Sequence, residues 1–298
     1  MSAATSISWT TSTWNTVTGC QEVSAGCDLC YAKTFAERWR GIPGHHFENG
    51  FDVTLRPERL DLPTRWKKPR RIFVNSMSDL FHKDVPDEFI AKTFAAMAAT
   101  PRHTYQLLTK RHGRMRALLN NPDWRETIRD HALRYGVDLG VDGAWPLPNL
   151  HLGVSVEDQK AADLRIPALL ATPAGVRWIS AEPLLGPVDL LGTAEQPGPA
   201  VVRTCFEIRT DYGTGIEYDV DDQLGLDWVV AGGESGRGAR PMDLHWARDL
   251  RDQCAVGGIP FFFKQLGTPL AKKLGAAGKG ERLADSPEDL RIREMPEG

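Results

Sequence analysis

Six short apolar segments, each closing on polar side chains, set the architecture open to this chain. They span Arg71–Asp79, His103–Lys110, Leu150–Glu157, Val176–Pro183, Asp227–Ser235 and Ile259–Gln265. Segments so continuously rich in β-branched and aromatic residues mark strands buried on both faces, as in parallel sheets. Helical patterns fall between them. From Asp87 to Ala99 the residues Phe89, Ile90, Phe94, Met97 and Ala98 share one face, behind the start signal Pro86-Asp87. Arg111–Asn120, Trp124–Tyr135, Asp158–Leu170 and Leu244–Val256 read the same way. Strands alternating with helices build right-handed βαβ units. With a first strand at Thr13–Val17, six or seven units result, and the chain is expected to be an α/β protein, a full or partial (βα) barrel over residues 1–270.

The polar ends of those segments place the chemistry. Asn75, Ser76 and Asp79 close the first, Thr109 and Lys110 the second, Ser155 and Glu157 the third. Ser180 and Glu182, then Gly232, Gly233 and Glu234, then Lys264 and Gln265 close the others. A (βα) barrel assembles its active site from the C-terminal ends of its strands. The competing role for such residues is helix capping. One insertion, at about 192–226, interrupts the alternation: two alternating runs around Thr210-Asp-Tyr-Gly-Thr-Gly215 read as a β-hairpin outside the barrel. Residues 271–298 form a polar, glycine-rich tail with a mobile tip expected.

Composition narrows the function. A net charge of −3 argues against a globally basic nucleic-acid coat. No apolar run approaches the roughly 18 residues that span a bilayer, and no secretion signal opens the chain. A cytoplasmic protein without membrane contact is expected. Five cysteines, three of them clustered, do not make a secreted disulfide framework. Cys205, on an expected strand, and Cys254, on an expected helix, read as buried inert thiols.

The clustered three, Cys20-x6-Cys27-x2-Cys30, carry the most information about function. Three thiolates on one loop can hold three irons of a cubane [4Fe–4S] cluster, whereas electron-transfer clusters are usually closed by a fourth cysteine. The iron left open can bind substrate or cofactor. Zinc is the alternative, with His45 or His46 as a fourth ligand, although zinc sites usually pair two C-x2-4-C-like groups.

The stretch from Ile7 to Ala32, followed in order by Asn75-Ser-Met-Ser-Asp-Leu-Phe81, Leu107-Leu-Thr-Lys-Arg111, Ser180-Ala-Glu-Pro-Leu184 and Ala231-Gly-Gly-Glu-Ser-Gly236, resembles a largely uncharacterised, often phage-encoded, three-cysteine radical-SAM-like family, a domain of unknown function. The resemblance runs from about residue 7 to residue 267. It implies a partial βα barrel with a [4Fe–4S] cluster on the loop after the first strand, held by Cys20, Cys27 and Cys30. S-adenosylmethionine would chelate the open iron, and its reductive cleavage, fed by an external electron donor, would give a 5′-deoxyadenosyl radical that abstracts hydrogen from a substrate. The cofactor carries that chemistry, and the protein positions and shields it.

This chain departs from the commonest radical-SAM pattern. The first cysteine gap is six residues, not three, and Leu29 stands where an aromatic residue usually precedes the last cysteine, so Tyr31 is the candidate to pack on adenine. A Gly-Gly-Glu motif is missing after the second strand, where Asn75, Ser76 and Asp79 take its place as candidate contacts. Glu157 and Glu182 are the candidates for ribose, since a carboxylate can accept from both hydroxyls. Asp79 is the candidate for the ammonium group, and Glu234 is a further candidate at the cavity.

Two basic segments, Trp66–Arg71 and Lys110–Arg116, suit phosphate binding or simply a solvated face. Trp9 and Trp14 read first as core and second as stacking platforms. Two classes of function therefore stand: a radical-generating enzyme acting on an unidentified substrate, with nucleotides or nucleic acid in view, and a non-catalytic iron–sulfur or zinc protein acting as an interaction module. Convergent strand-end carboxylates favour the enzyme.

Overall fold

The computed structural model describes residues 5–140, 145–192, 196, 198–209 and 216–297, with the backbone alone for 201–209 and 216–224. In chain order come β1 (Ser12–Trp14), β2 (Val17–Thr18), α1 (Tyr31–Glu37), β3 (Thr54–Leu55), β4 (Arg71–Val74), α2 (Asp87–Ala98), β5 (Thr104–Thr109), α3 (His112–Leu119) and α4 (Pro122–Ala132). Then follow β6 (Leu150–Ser155), α5 (Gln159–Leu170), β7 (Val176–Ala181), β8 (Val201–Arg209), β9 (Ile216–Leu224), β10 (Trp228–Gly232), α6 (Leu244–Val256), β11 (Phe261–Gln265) and α7 (Thr268–Lys273).

Seven strands form one parallel sheet in the order β1-β4-β5-β6-β7-β10-β11, curled into a half-barrel flanked by helices. The expectation of a partial βα barrel holds. Side chains alternate between its faces as the two-residue period of a strand requires. Ile72, Val74, Leu107, Leu152, Val154, Ile179 and Val229 face the helical layer, in one core with Ile90, Phe94 and Leu250. Their neighbours Phe73, Trp178, Trp228, Val230 and Phe262 fill the concave side together with Trp9. Thr10 and Thr11 both donate to the Arg71 carbonyl at the start of β4, so Trp9 enters from the strand-start side. Its ring meets Phe73 edge-on at 4.7 Å and Trp178 at 5.4 Å. Trp14 lies in the other core, its Nε1 donating to the Arg59 carbonyl at 2.7 Å.

One expectation changes. The first strand ends at Trp14 rather than at Val17. Asn75 Oδ1 accepts from the backbone N–H of Thr16 at 2.8 Å and of Val17 at 3.2 Å, which pulls the chain off the sheet ladder. Val17–Thr18 then pairs antiparallel with Thr54–Leu55. The last part of the polar tail runs along the sheet edge. Phe263 donates to Ile292 O and Glu294 to Phe261 O, and Leu290 is fully buried, so the segment covers the edge of β11. Covering an edge strand satisfies its backbone groups and blocks pairing with other chains.

The insertion forms a hairpin, β8 pairing antiparallel with β9 from Val201↔Leu224 to Arg209↔Ile216 in a sheet of its own. Its turn, 210–215, and the side chain of Cys205 lie outside the described residues. Cys254 is fully buried on α6, and burial pushes its thiol up to about 12, as suits an inert packing group.

Candidate active site and the cysteine loop

Beyond the C-terminal ends of the strands lies a cavity of about 610 Å³, within the range of small-molecule sites. All three clustered cysteines border it, as do Asn75, Asp79, Glu182 and Glu234. The strand-end residues and the cysteine loop thus share one rim.

The approach to Cys20 is built on the turn after β4. Asn75 takes a left-handed backbone at φ 59, a conformation asparagine tolerates better than most residues. Its side chain holds Thr16 and Val17, while Asn15 Oδ1 accepts from Ser76 Oγ and Met77 N. Ser78 Oγ donates to Val17 O at 2.8 Å, and Gly19 N donates to Met77 O at 2.9 Å. Gly19, at φ 87, passes so close to Asp52 that a Cβ there would lie 2.2 Å from its carbonyl oxygen. No other residue type fits. Cys27 closes a short 3₁₀ turn from Ala25, and Cys30 is the residue immediately before α1. Tyr31, the first residue of that helix, donates its hydroxyl to Ser76 O at 2.6 Å.

Three carboxylates at strand ends hold the loop through basic partners. Asp79, after β4, accepts from Phe81 N, Thr109 Oγ1, Lys110 N and, at 3.4 Å, from Arg111 Nη1. The same Arg111 nitrogen lies 3.5 Å from Cys20 Sγ, and Nη2 donates to Gln21 O at 3.1 Å. Glu157, after β6, accepts from Ser24 Oγ at 2.8 Å, Lys110 Nζ at 2.6 Å and Arg165 Nη1 at 2.8 Å. Glu234, after β10, accepts three bonds from Arg240. That arginine also donates to Asp28 Oδ2 at 3.0 Å and Ala25 O at 2.7 Å. Hydrogen-bonded ion pairs of this kind fix geometry as well as charge.

Local electrostatics follow from these contacts. Burial pushes the Glu157 carboxyl up, but Lys110 and Arg165 outweigh it and hold the group below its usual range. Glu234 behaves alike, with Arg240 overcoming burial. Burial and the charge of Asp79 push the Cys20 thiol up to about 11, against the pull of Arg111.

Glu182 is different. It follows β7 and accepts from Lys264 Nζ at 2.8 and 2.7 Å and from Gln265 Nε2 at 3.0 Å, both on β11 and away from the cysteine loop's clamps. Its side chain is 17% exposed, against 8% for Asp79, 5% for Glu234 and 2% for Glu157. Ser155 and Ser180, paired across β6 and β7, also border the cavity.

The residues expected at a cofactor therefore divide. Asn75, Ser76, Asp79, Glu182, Glu234 and Tyr31 line the cavity. Glu157 does not; its carboxylate lies behind the loop, where a Cβ on Gly26 would come within 2.4 Å of Oε1. Asp79 and Glu234 reach the cavity but are already engaged, Asp79 by Phe81 N, Thr109 Oγ1, Lys110 N and Arg111, and Glu234 by Arg240. Arg165, Arg240 and Ser24 have no assigned role in the sequence reading, and Arg111 enters it only within the motif Leu107–Arg111 and the basic segment Lys110–Arg116. Arg165 does have a local signal, as an arginine on the helix directly after Glu157. The basic segments separate: Lys110 and Arg111 are paired at the cavity and Arg114 is paired with Asp87, while Trp66–Arg71 leads into the start of β4, on the opposite rim.

Among the described residues, no group of three or more His, Cys, Asp or Glu side chains is placed to hold a metal ion. A mononuclear zinc needs ligands converging on one atom. A cubane instead gives each thiolate its own iron; the free thiols of Cys20, Cys27 and Cys30 border one cavity. His45 stacks on Trp39 at 4.3 Å, and neither it nor His46 lines the cavity. No helix among the described residues is long and apolar enough to cross a membrane.

No curated protein and no solved structure gives a match to this chain. One family model does, over residues 4–290, and it carries no activity with it. That span takes in the whole half-barrel, the cysteine loop and the three carboxylate clamps, and the chain belongs to the family described as protein of unknown function (DUF5131).

Proposed function

We propose that this protein is a radical S-adenosylmethionine enzyme whose [4Fe–4S] cluster is held by Cys20, Cys27 and Cys30. The observation that carries the reading is the placing of three free thiols on the rim of the same cavity that gathers the strand-end polar groups. When bound, a cluster with an open iron and S-adenosylmethionine supplies a 5′-deoxyadenosyl radical, given an external electron donor.

The chain's own residues provide position and shielding. Arg111, Ser24 with Glu157, and Arg240 fix the loop at three points before anything binds, which spares the site reorganisation on loading. Glu182, the most accessible of the four carboxylates, is the group placed to accept from ribose hydroxyls. Lys264 and Gln265 hold its orientation. The hydroxyls of Ser155 and Ser180 offer both donor and acceptor to the ligand. Tyr31, with its ring at the mouth and its hydroxyl on Ser76 O, offers a face for adenine. Trp9, Phe73 and Leu108 close the inner end with apolar surface that excludes water. Nucleotides or nucleic acid are the substrate class in view, since the cavity lining combines aromatic side chains with polar and basic ones.

The test is incubation of anaerobically reconstituted protein with dithionite and S-adenosylmethionine, followed by chromatography for 5′-deoxyadenosine. Formation of that product, or a change in the electron paramagnetic resonance signal on adding S-adenosylmethionine, is expected. Neither change would leave a structural iron–sulfur protein as the better description.

A further inference from the structure

The contact between Arg111 and Cys20 has a chemical meaning beyond holding the loop. The guanidinium sits between a cysteine sulfur and a buried carboxylate, with Nη1 at 3.5 Å from Cys20 Sγ and at 3.4 Å from Asp79 Oδ2. Neither member is free to move away. Asp79 is anchored by Phe81 N, Thr109 Oγ1 and Lys110 N, and Arg111 by its own backbone N–H on Thr109 Oγ1 at 2.8 Å and by Nη2 on Gln21 O. Both side chains are largely shielded from solvent, at 13% and 8% exposure, so their charges are weakly screened. Other charged groups of the loop and its supports are paired with one another: Glu22 with Lys33, Asp28 and Glu234 with Arg240, and Glu157 with Lys110 and Arg165.

We propose that Asp79 and Arg111 are an opposed pair of positioning residues that set the reduction potential of the cluster through Cys20. The proposal rests on the cluster reading above. Reduction adds one electron, taken in the titration from dithionite, and so makes the cluster and its thiolates more negative. A cation and an N–H donor at the sulfur favour that state, and a carboxylate opposes it; hydrogen bonds to sulfur and net charge are established levers on cluster potential. Removing one member exposes the other uncompensated in a low-dielectric setting, where a single charge has its largest effect. The two substitutions must therefore act with opposite sign, which a merely structural role would not produce.

The experiment is a dye-mediated redox titration at fixed pH of the anaerobically reconstituted full chain, read by electron paramagnetic resonance, with iron and sulfide measured on each sample. Arg111→Gln should lower the potential and Asp79→Asn should raise it. Each should shift the reduction equilibrium by about tenfold or more, which is about 59 mV for one electron. Arg111→Lys, which keeps the charge and loses the fork, should fall between wild type and Arg111→Gln. Shifts of the same sign, or none, in proteins with full iron would overturn the proposal and leave the cluster reading intact. So would loss of the cluster in all three variants while wild type retains it, since the pair would then be structural. A wild-type protein that takes up no cluster would overturn the cluster reading itself and the proposal with it.

Discussion

Replacing Glu157 with glutamine should weaken the fold by an amount the structure allows to be estimated. The carboxylate is 2% exposed and accepts from Lys110 Nζ, Arg165 Nη1 and Ser24 Oγ. An amide offers one acceptor oxygen instead of two and turns N–H groups toward donors already in place. Two cations lose their counter-charge at once. Breaking a buried pair by removing one partner costs about 3–5 kcal/mol; because Lys110 keeps 17% exposure, the lower end, about 3 kcal/mol, is expected. At about 2 °C per kcal/mol for a chain this large, the melting temperature should fall by about 6 °C. The pH dependence has a definite sign. The folded carboxyl titrates below its ordinary value of 4.5, so its stabilisation is complete above that value and is lost as pH falls through the folded pKa. The gap between wild type and variant should thus be full at neutral pH and close in acid. Thermal unfolding of the metal-free chain, followed by circular dichroism from neutral to acid pH, measures both. A destabilisation below about 1 kcal/mol, the scale of a surface pair, or a gap that widens in acid, would refute the reasoning.

Other expectations follow from the same contacts. Trp9→Ala empties the concave core between Phe73 and Trp178 and should cost about 3–5 kcal/mol by chemical denaturation; a near-neutral result would mean the ring does not plug the half-barrel. Gly26→Ala sets a Cβ against Glu157 Oε1, so hydrogen exchange should accelerate in residues 20–30 with little change elsewhere. Arg240→Met frees Ala25 O and Asp28 and strands Glu234; faster exchange is expected at the same loop, and unchanged protection would remove Arg240 from its supports.

Much of this fold was legible in the sequence because its strands are buried on both faces and its helices on one. The segment Arg71–Asp79 read as a strand with a polar end, and β4 with the Asn75–Asp79 turn is what formed. The expected helix at Leu244–Val256 coincides with α6. The break after Trp14 was not legible, because it depends on a side chain about sixty residues away: Asn75 outcompetes the sheet ladder for the N–H groups of Thr16 and Val17. The site was legible as a set of strand ends and illegible as a network. That Glu182 and Asp79 would share a cavity with Cys20 followed from barrel topology alone. That Asp79 would pair with Arg111, and that Arg240 would reach back to Asp28, required knowing which surface loops cross the rim, and loop paths leave no periodic signal. Glu157 shows the consequence: a strand-end carboxylate identical in pattern to Glu182 supports the loop from behind instead of facing the cavity.

The most direct measurement is the iron and acid-labile sulfide content of the full chain reconstituted anaerobically, compared with Cys20→Ala, Cys27→Ala and Cys30→Ala. About four irons and four sulfides per chain are expected for wild type, with no stable cluster in any single variant. One zinc per chain without sulfide, or an iron content that survives loss of any one of the three cysteines, would contradict the cluster.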